Sequence, residues 1–105
     1  MYEIKNKNIN KKLRKGYITM KNLYTVYDVK ANIHNNPMVQ NNNAEAMRTF
    51  AQLANDEKTF ISKYPEDYQL CLVGEYDELT GRIVGIEQIQ ILCRAIDFVE
   101  IKETE

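Results

Sequence analysis

Tyrosine side chains are the residues of this sequence best suited to binding a ligand. The chain has seven Tyr and three Phe and no Trp. Tyr24, Tyr68 and Tyr76 fall in segments that alternate like β-strands. An aromatic ring on an exposed sheet face can stack on an unpaired nucleobase while a neighbouring Lys or Arg binds the phosphate. The same rings could equally fill the core of a small sheet, so both interpretations stand at this stage.

Positive charge is unevenly distributed along the chain. The net charge of the 105 residues is −1, but residues 1–22 hold seven bases and one acid (+6), whereas residues 23–105 hold seven bases and fourteen acids (−7). A basic segment can bind phosphates through counterion release. It could also contact the acidic remainder of the chain or another copy, or serve solubility alone. The cations that we consider for phosphate binding are Lys11, Lys12, Arg14, Lys15, Lys21, Lys30, Arg48 and Arg82.

Catalytic, cofactor and metal motifs do not stand out. The sequence has no phosphate-binding loop, no Gly-rich dinucleotide turn and no Cys-x-x-Cys pair. His34 is the single histidine, and Cys71 and Cys93 lie in apolar runs typical of a core. The acids Glu75, Asp77 and Glu78 cluster where a solvated turn is expected. We therefore expect a protein that is not an enzyme and has no metal or cofactor.

Two regions position these residues. Residues 1–20, rich in Asn and Lys, are predicted to be a basic extension that is disordered or partly ordered, and residues 21–105 to form one α+β domain. Met20 directly precedes the first strand, which raises the question of whether translation begins there. No apolar stretch is long enough to span a bilayer or to form a signal peptide, so no membrane association is expected.

The first half of the domain is predicted to form a strand followed by helices. From Leu23 to Ile33 apolar and polar residues alternate, which indicates a strand with its odd positions inward. Asn42 and Glu45 have the spacing of a capping box. Met47, Phe50, Ala51 and Ala54 then follow a helical period. A second short helix carries Phe60, Ile61 and Tyr64 and ends at Pro65.

The second half is predicted to form a hairpin followed by a helix. Asp67–Tyr76 indicates a central strand, Asp77–Gly81 a turn and Arg82–Ile86 the returning strand. Ile89, Leu92, Cys93 and Ile96 fit a C-terminal helix. The expected fold is a small antiparallel or mixed sheet of about three strands, packed on one face by two to three helices. Because such a core is thin, we expect a homodimer or higher oligomer.

Several segments together resemble a known protein family. They are Tyr24–Ala31, Ala46–Phe50, Tyr64–Leu70 and Gly74–Ile83, the last carrying Gly-Glu-Tyr-Asp and a Thr-Gly turn. In this order they are similar to the small nonstructural protein of gokushovirus-type microviruses, which are single-stranded DNA phages. The resemblance covers about residues 20 to 100 and leaves out the basic extension.

This resemblance implies a DNA-binding replication factor in the cytoplasm of a host bacterium, acting when synthesis shifts to single-stranded genomes. It carries over no catalytic residue. The function expected is binding of single-stranded DNA without strong sequence preference, with stacking by Tyr24, Tyr68 or Tyr76 and phosphate contacts from the cations named above. The alternative is an interaction module that docks on a host or phage replication protein.

Overall fold

The computed structural model describes residues 20–100, and within them the fold is an antiparallel sheet with helices on one face. The strands are β1 (Met20–Asp28), β2 (Ile33–His34), β3 (Met38–Gln40), β4 (Tyr68–Asp77) and β5 (Ile83–Arg94). The helices are α1 (Asn43–Ala54) and α2 (Phe60–Lys63), with 3₁₀ turns at Pro65–Asp67 and Ala95–Phe98. The α+β class is confirmed, and the sheet has five strands where about three were predicted.

The sheet is ordered β2-β1-β4-β5, and β3 pairs with the same edge of β1 as β2. β1 and β4 therefore lie at the centre, as predicted for the second of them. The predicted turn between β4 and β5 is confirmed, and it contains Gly81 with φ of 75°, a conformation that favours glycine. No helix long and apolar enough to cross a membrane occurs among the described residues.

Helix α1 begins where its capping residue predicts. The side chain of Asn42 accepts a hydrogen bond from the backbone N–H of Glu45 at 2.9 Å, as an N-cap should. The Glu45 carboxylate accepts from the side-chain amide of Asn41 at 3.0 Å, so the reciprocal half of the capping box is replaced by this contact. Helix α2 is capped by Thr59, which accepts from Ser62 N–H at 3.0 Å. Both helices that the sequence predicted in this region are present.

The core lies between these helices and one face of the sheet. It contains Tyr24, Val26 and Leu70 from the strands and Phe50 and Ile61 from the helices. The prediction that odd positions of the first strand point inward is only partly right, because the even positions Tyr24 and Val26 face the helices, although the odd positions Leu23 and Thr25 are buried as well. The first strand is also shorter than predicted, since it ends at Asp28 and is followed by a turn in which Asn32 has φ of 59°.

The predicted C-terminal helix through Ile89, Leu92, Cys93 and Ile96 is wrong. Residues Ile83–Arg94 form the long edge strand β5, and only the 3₁₀ turn Ala95–Phe98 follows. The ladder between β4 and β5 shifts register twice: Cys93 pairs with Leu70 but Ile91 with Cys71, and Gln90 pairs with Leu72 but Gly85 with Gly74. Leu92 and the segment Ile86–Ile89 are therefore bulged relative to β4.

Candidate nucleic-acid interface

The face of the sheet opposite the helices is the candidate binding surface, and we call it the open face. Residues directly opposite one another in a ladder point to the same side of a sheet, so the register identifies its members. They are Lys21, Leu23, Thr25, Tyr27, His34, Val39, Gln69, Cys71, Gly74, Tyr76, Ile83, Gly85, Ile91 and Arg94. None of them belongs to the core cluster between sheet and helices, but Leu23, Thr25, Cys71 and Gly74 at the centre of this face are buried, so its accessible part lies at the two ends and along the outer strands.

One end of the open face carries a row of four side chains across four strands. His34 of β2 is opposite Tyr27 of β1, Tyr27 is opposite Gln69 of β4, and Gln69 is opposite Arg94 of β5. At a strand spacing of about 4.8 Å, the row spans about 14 Å. It places two aromatic rings, an amide and a guanidinium side by side.

The aromatic pair in this row is held by its neighbours. The rings of Tyr27 and His34 have centroids 4.5 Å apart and planes 40° apart. The Thr25 hydroxyl lies 2.7 Å from His34 Nδ1, and the Tyr27 hydroxyl donates to Asn32 Oδ1 at 2.8 Å. Because both rings have a fixed polar partner, little side-chain entropy remains to be lost when a flat ligand stacks on them.

The opposite end of the open face carries Lys21, Tyr76 and Ile83 in one row. The Lys21 ammonium lies 3.5 Å from the Glu78 carboxylate and also donates to the Asn41 side chain. Along β1, Tyr27 is six positions after Lys21, which is about 20 Å of strand. The open face therefore has an aromatic ring and a cation at each end, and the side chains of Leu23 and Thr25 between them on β1 are buried.

Acidic residues are absent from the ladder positions of the open face. Residues 20–100 contain twelve Asp or Glu and seven Lys or Arg, so the described part of the chain has a net charge of −5. The open face nevertheless has two cations, Lys21 and Arg94, and no acid among its paired positions, although Glu87 lies in the bulged segment of β5. Arg94 is 3.8 Å from Asp97, so each cation has one acidic neighbour at the rim.

The predicted site residues are only partly brought together. Tyr76 and Lys21 share the open face. Tyr24 is fully buried, and its hydroxyl donates to Asn43 Oδ1 at 2.6 Å, so stacking by Tyr24 was wrong. Tyr68 faces the helix side and is half-buried against the core. Burial raises the pKa of Tyr68, and the nearby Asp28 carboxylate raises it further.

The remaining predicted cations lie elsewhere. Arg48 is exposed on α1, on the helix side of the sheet, while Lys30 and Arg82 are exposed in the turns after β1 and before β5. Lys11, Lys12, Arg14 and Lys15 lie outside the described residues. The other open-face residues with binding chemistry, Tyr27, His34 and Arg94, were not predicted. Tyr27 would have been found had the even positions of β1 been assigned to the core.

The cysteines and acids of the described residues form no metal cluster. Cys71 is on the open face and Cys93 on the helix side, and burial raises the pKa of both thiols. Within residues 20–100, no three His, Cys, Asp or Glu side chains come together as metal ligands would.

Comparison with known proteins places the chain in a phage family. The family model described as Phage ORF5 protein matches residues 21–98, which is about three quarters of the chain and nearly all of the described fold. No curated protein and no solved structure gives a significant match. The chain therefore belongs to the Phage ORF5 protein family.

Proposed function

We propose that this phage protein binds single-stranded DNA on the open face of its sheet. The observation that carries the proposal is the open face itself: Tyr27, His34 and Tyr76 stand on an acid-free set of ladder positions, with Lys21 and Arg94 at its two ends. Rings on a flat sheet suit unpaired bases, because every base has a π-face that stacking can use without regard to sequence.

The charge distribution supports the same proposal. A net charge of −5 over residues 20–100 would repel a polyanion from most of the surface. On the open face, the acidic partners of the two cations among residues 20–100 are the rim carboxylates of Glu78 and Asp97, at 3.5 and 3.8 Å. Phosphates can compete for Lys21 and Arg94 there, because both ion pairs are partly exposed to water and weak.

The resemblance to the nonstructural protein of gokushovirus-type microviruses supports DNA binding and suggests when and where in the infection it occurs. It suggests a binding protein, not an enzyme, that acts in the cytoplasm of the infected bacterium at the shift to single-stranded genome synthesis. The basic cluster Lys11, Lys12, Arg14 and Lys15 would then add phosphate contacts to those of the open face.

The test is a fluorescence-anisotropy titration of the full chain with labelled oligo-dT at two salt concentrations. We expect affinity that falls with salt, and a Tyr27→Leu variant that binds roughly 5- to 150-fold more weakly, the equivalent of about 1–3 kcal/mol for one stacked base. Tyr64→Leu is the matched control, since Tyr64 is 57% exposed and lies outside the open face. Equal loss in both variants, or no binding at low salt, would refute the proposal.

A further inference from the structure

The outer edge of β5 is a second candidate interaction surface. β5 is an end strand of the sheet and has twelve residues, and among the described residues its far side pairs with no other strand. The opposite edge of the sheet is formed by β2 and β3, which have two and three residues. Short edge strands resist further pairing, whereas a long one offers unpaired N–H and C=O groups to another chain.

The side chains of β5 do little to prevent such pairing. Proteins guard long edges with Lys or Pro or with inward charges, and β5 has no Lys and no Pro. It exposes four large apolar residues instead, with exposed fractions between 46% and 64%: Ile83, Val84, Ile89 and Ile91. The bulge at Ile86–Ile89 is the one device present, and it separates that segment from β4 without covering its outer edge.

The charges of β5 favour another β5 as the partner. Glu87 and Arg94 are the only charged residues of the strand. In antiparallel self-pairing about a two-fold axis at Gln90, the bulged residues Leu92 and Cys93 together occupy one ladder position, so Arg94 of each copy is opposite Glu87 of the other. Each charge of β5 then faces its opposite, so self-pairing places no like charges across the seam.

We propose that β5 pairs antiparallel with β5 of a second copy, about a two-fold axis near Gln90. The two sheets then form one continuous sheet, and because the axis is perpendicular to it, both open faces lie on the same side. A single strand pair buries less area than a standard interface, so the dimer is expected to be weak and concentration-dependent.

Sedimentation velocity on the full chain without DNA, from about 5 to 200 µM, tests this pairing. We expect a monomer–dimer equilibrium that Ile89→Lys shifts to monomer. Ile33→Lys is the matched control, because Ile33 is 56% exposed on the opposite sheet edge and its substitution should leave the dimer intact. Far-UV circular dichroism of each variant establishes that the fold is retained.

A charge exchange tests the register independently of the apolar contacts. Glu87→Arg alone and Arg94→Glu alone should each weaken the dimer, and the double variant should restore it. A wild-type chain that remains monomeric at about 200 µM overturns the proposal. So does a dimer that Ile89→Lys leaves intact, or one that Phe60→Lys on α2 abolishes instead. Failure of the double variant to recover would overturn the register near Gln90.

Discussion

At the residue scale, Tyr24 shows how a candidate ligand contact becomes a structural hydrogen bond. Its ring is fully buried, and its hydroxyl donates to Asn43 Oδ1 and accepts from the Asn22 amide at 2.9 Å. The residue thus ties β1 to the first turn of α1. It cannot reach a base without leaving the core.

Tyr24→Phe should therefore destabilise the fold without touching DNA binding. Removal of the hydroxyl leaves Asn22 and Asn43 without this partner, and we expect the free energy of unfolding to fall by about 1 kcal/mol. Urea denaturation measures the loss, with Tyr64→Phe as a control on an exposed ring. A clear fall in oligonucleotide affinity for Tyr24→Phe at unchanged stability would contradict this assignment.

The thiol of Cys93 makes stability depend on alkaline pH. Burial, aided by the Asp97 carboxylate, raises the pKa of Cys93 to about 11 from an ordinary value of 9.0. The unfolded chain therefore loses this proton at lower pH than the folded one. The stabilisation is complete below about pH 9 and is lost as pH rises towards 11.

We expect Cys93→Ala to flatten this part of the stability curve. Urea unfolding at several values between neutral pH and pH 11 should show a steeper decline for the wild-type chain than for the variant. The raised pKa values of Tyr24, Tyr68 and Cys71 act in the same direction in both proteins, so the difference between the curves isolates Cys93. Parallel curves would show that Cys93 titrates normally in the fold.

At the scale of elements, the close approach of the paired strands β4 and β5 depends on one glycine. A Cβ added at Gly74 would lie 2.6 Å from the backbone oxygen of Val84, which cannot move without shifting β5. A Cβ at Gly85, its ladder partner, would meet nothing nearer than the Val73 oxygen at 3.9 Å. Two paired glycines therefore have different reasons to be present.

Gly74→Ala should consequently cost about 1–3 kcal/mol of stability, the usual range for an overpacked position. Gly85→Ala should change the free energy of unfolding by less than about 1 kcal/mol, since the site has room. Thermal or urea unfolding of the two variants makes the comparison. Equal effects would mean that β5 can move away from Gly74 at little cost.

How far the elements could be predicted depended on where strand bulges fall. Helix α1 was predicted correctly, because its cap at Asn42 and its helical period are local features of the sequence. β5 was mistaken for a helix because the bulge at Leu92 turns both Leu92 and Cys93 towards the core, and two adjacent inward residues imitate a helical period. In β1, Leu23 to Val26 are all buried, so alternation could not reveal which face meets the helices.

The same limits governed the candidate site. Lys21 and Tyr76 were predicted from residue type and alternation. His34 comes next to Tyr27 only through the turn at Val29–Asn32, where Asn32 adopts a positive φ, and nothing in the period of the sequence predicts that contact. Arg94 reaches the open face only because β5 is a strand, so the helix interpretation concealed it.

At the scale of the whole molecule, charge separation decides how an acidic protein could bind a polyanion. The acidic partners of the open-face cations, Glu78 and Asp97, lie at the rim of that face. The sequence has four further bases at Lys11, Lys12, Arg14 and Lys15. These two contributions differ in kind. Stacking is insensitive to salt, whereas each phosphate contact on a single strand adds about 0.7 to the slope of log affinity against log salt.

Replacing the four bases by Gln in the full chain should separate the two contributions. We expect the slope to fall by up to about 3, which is four contacts at about 0.7 each, while binding persists at low salt. Tyr27→Leu should do the reverse and weaken binding at every salt concentration without changing the slope. Lys58→Gln with Lys63→Gln, on the helix side, controls for net charge. An unchanged slope would mean that the four bases bind no phosphate, and complete loss of binding at low salt would mean that the open face contributes no affinity of its own.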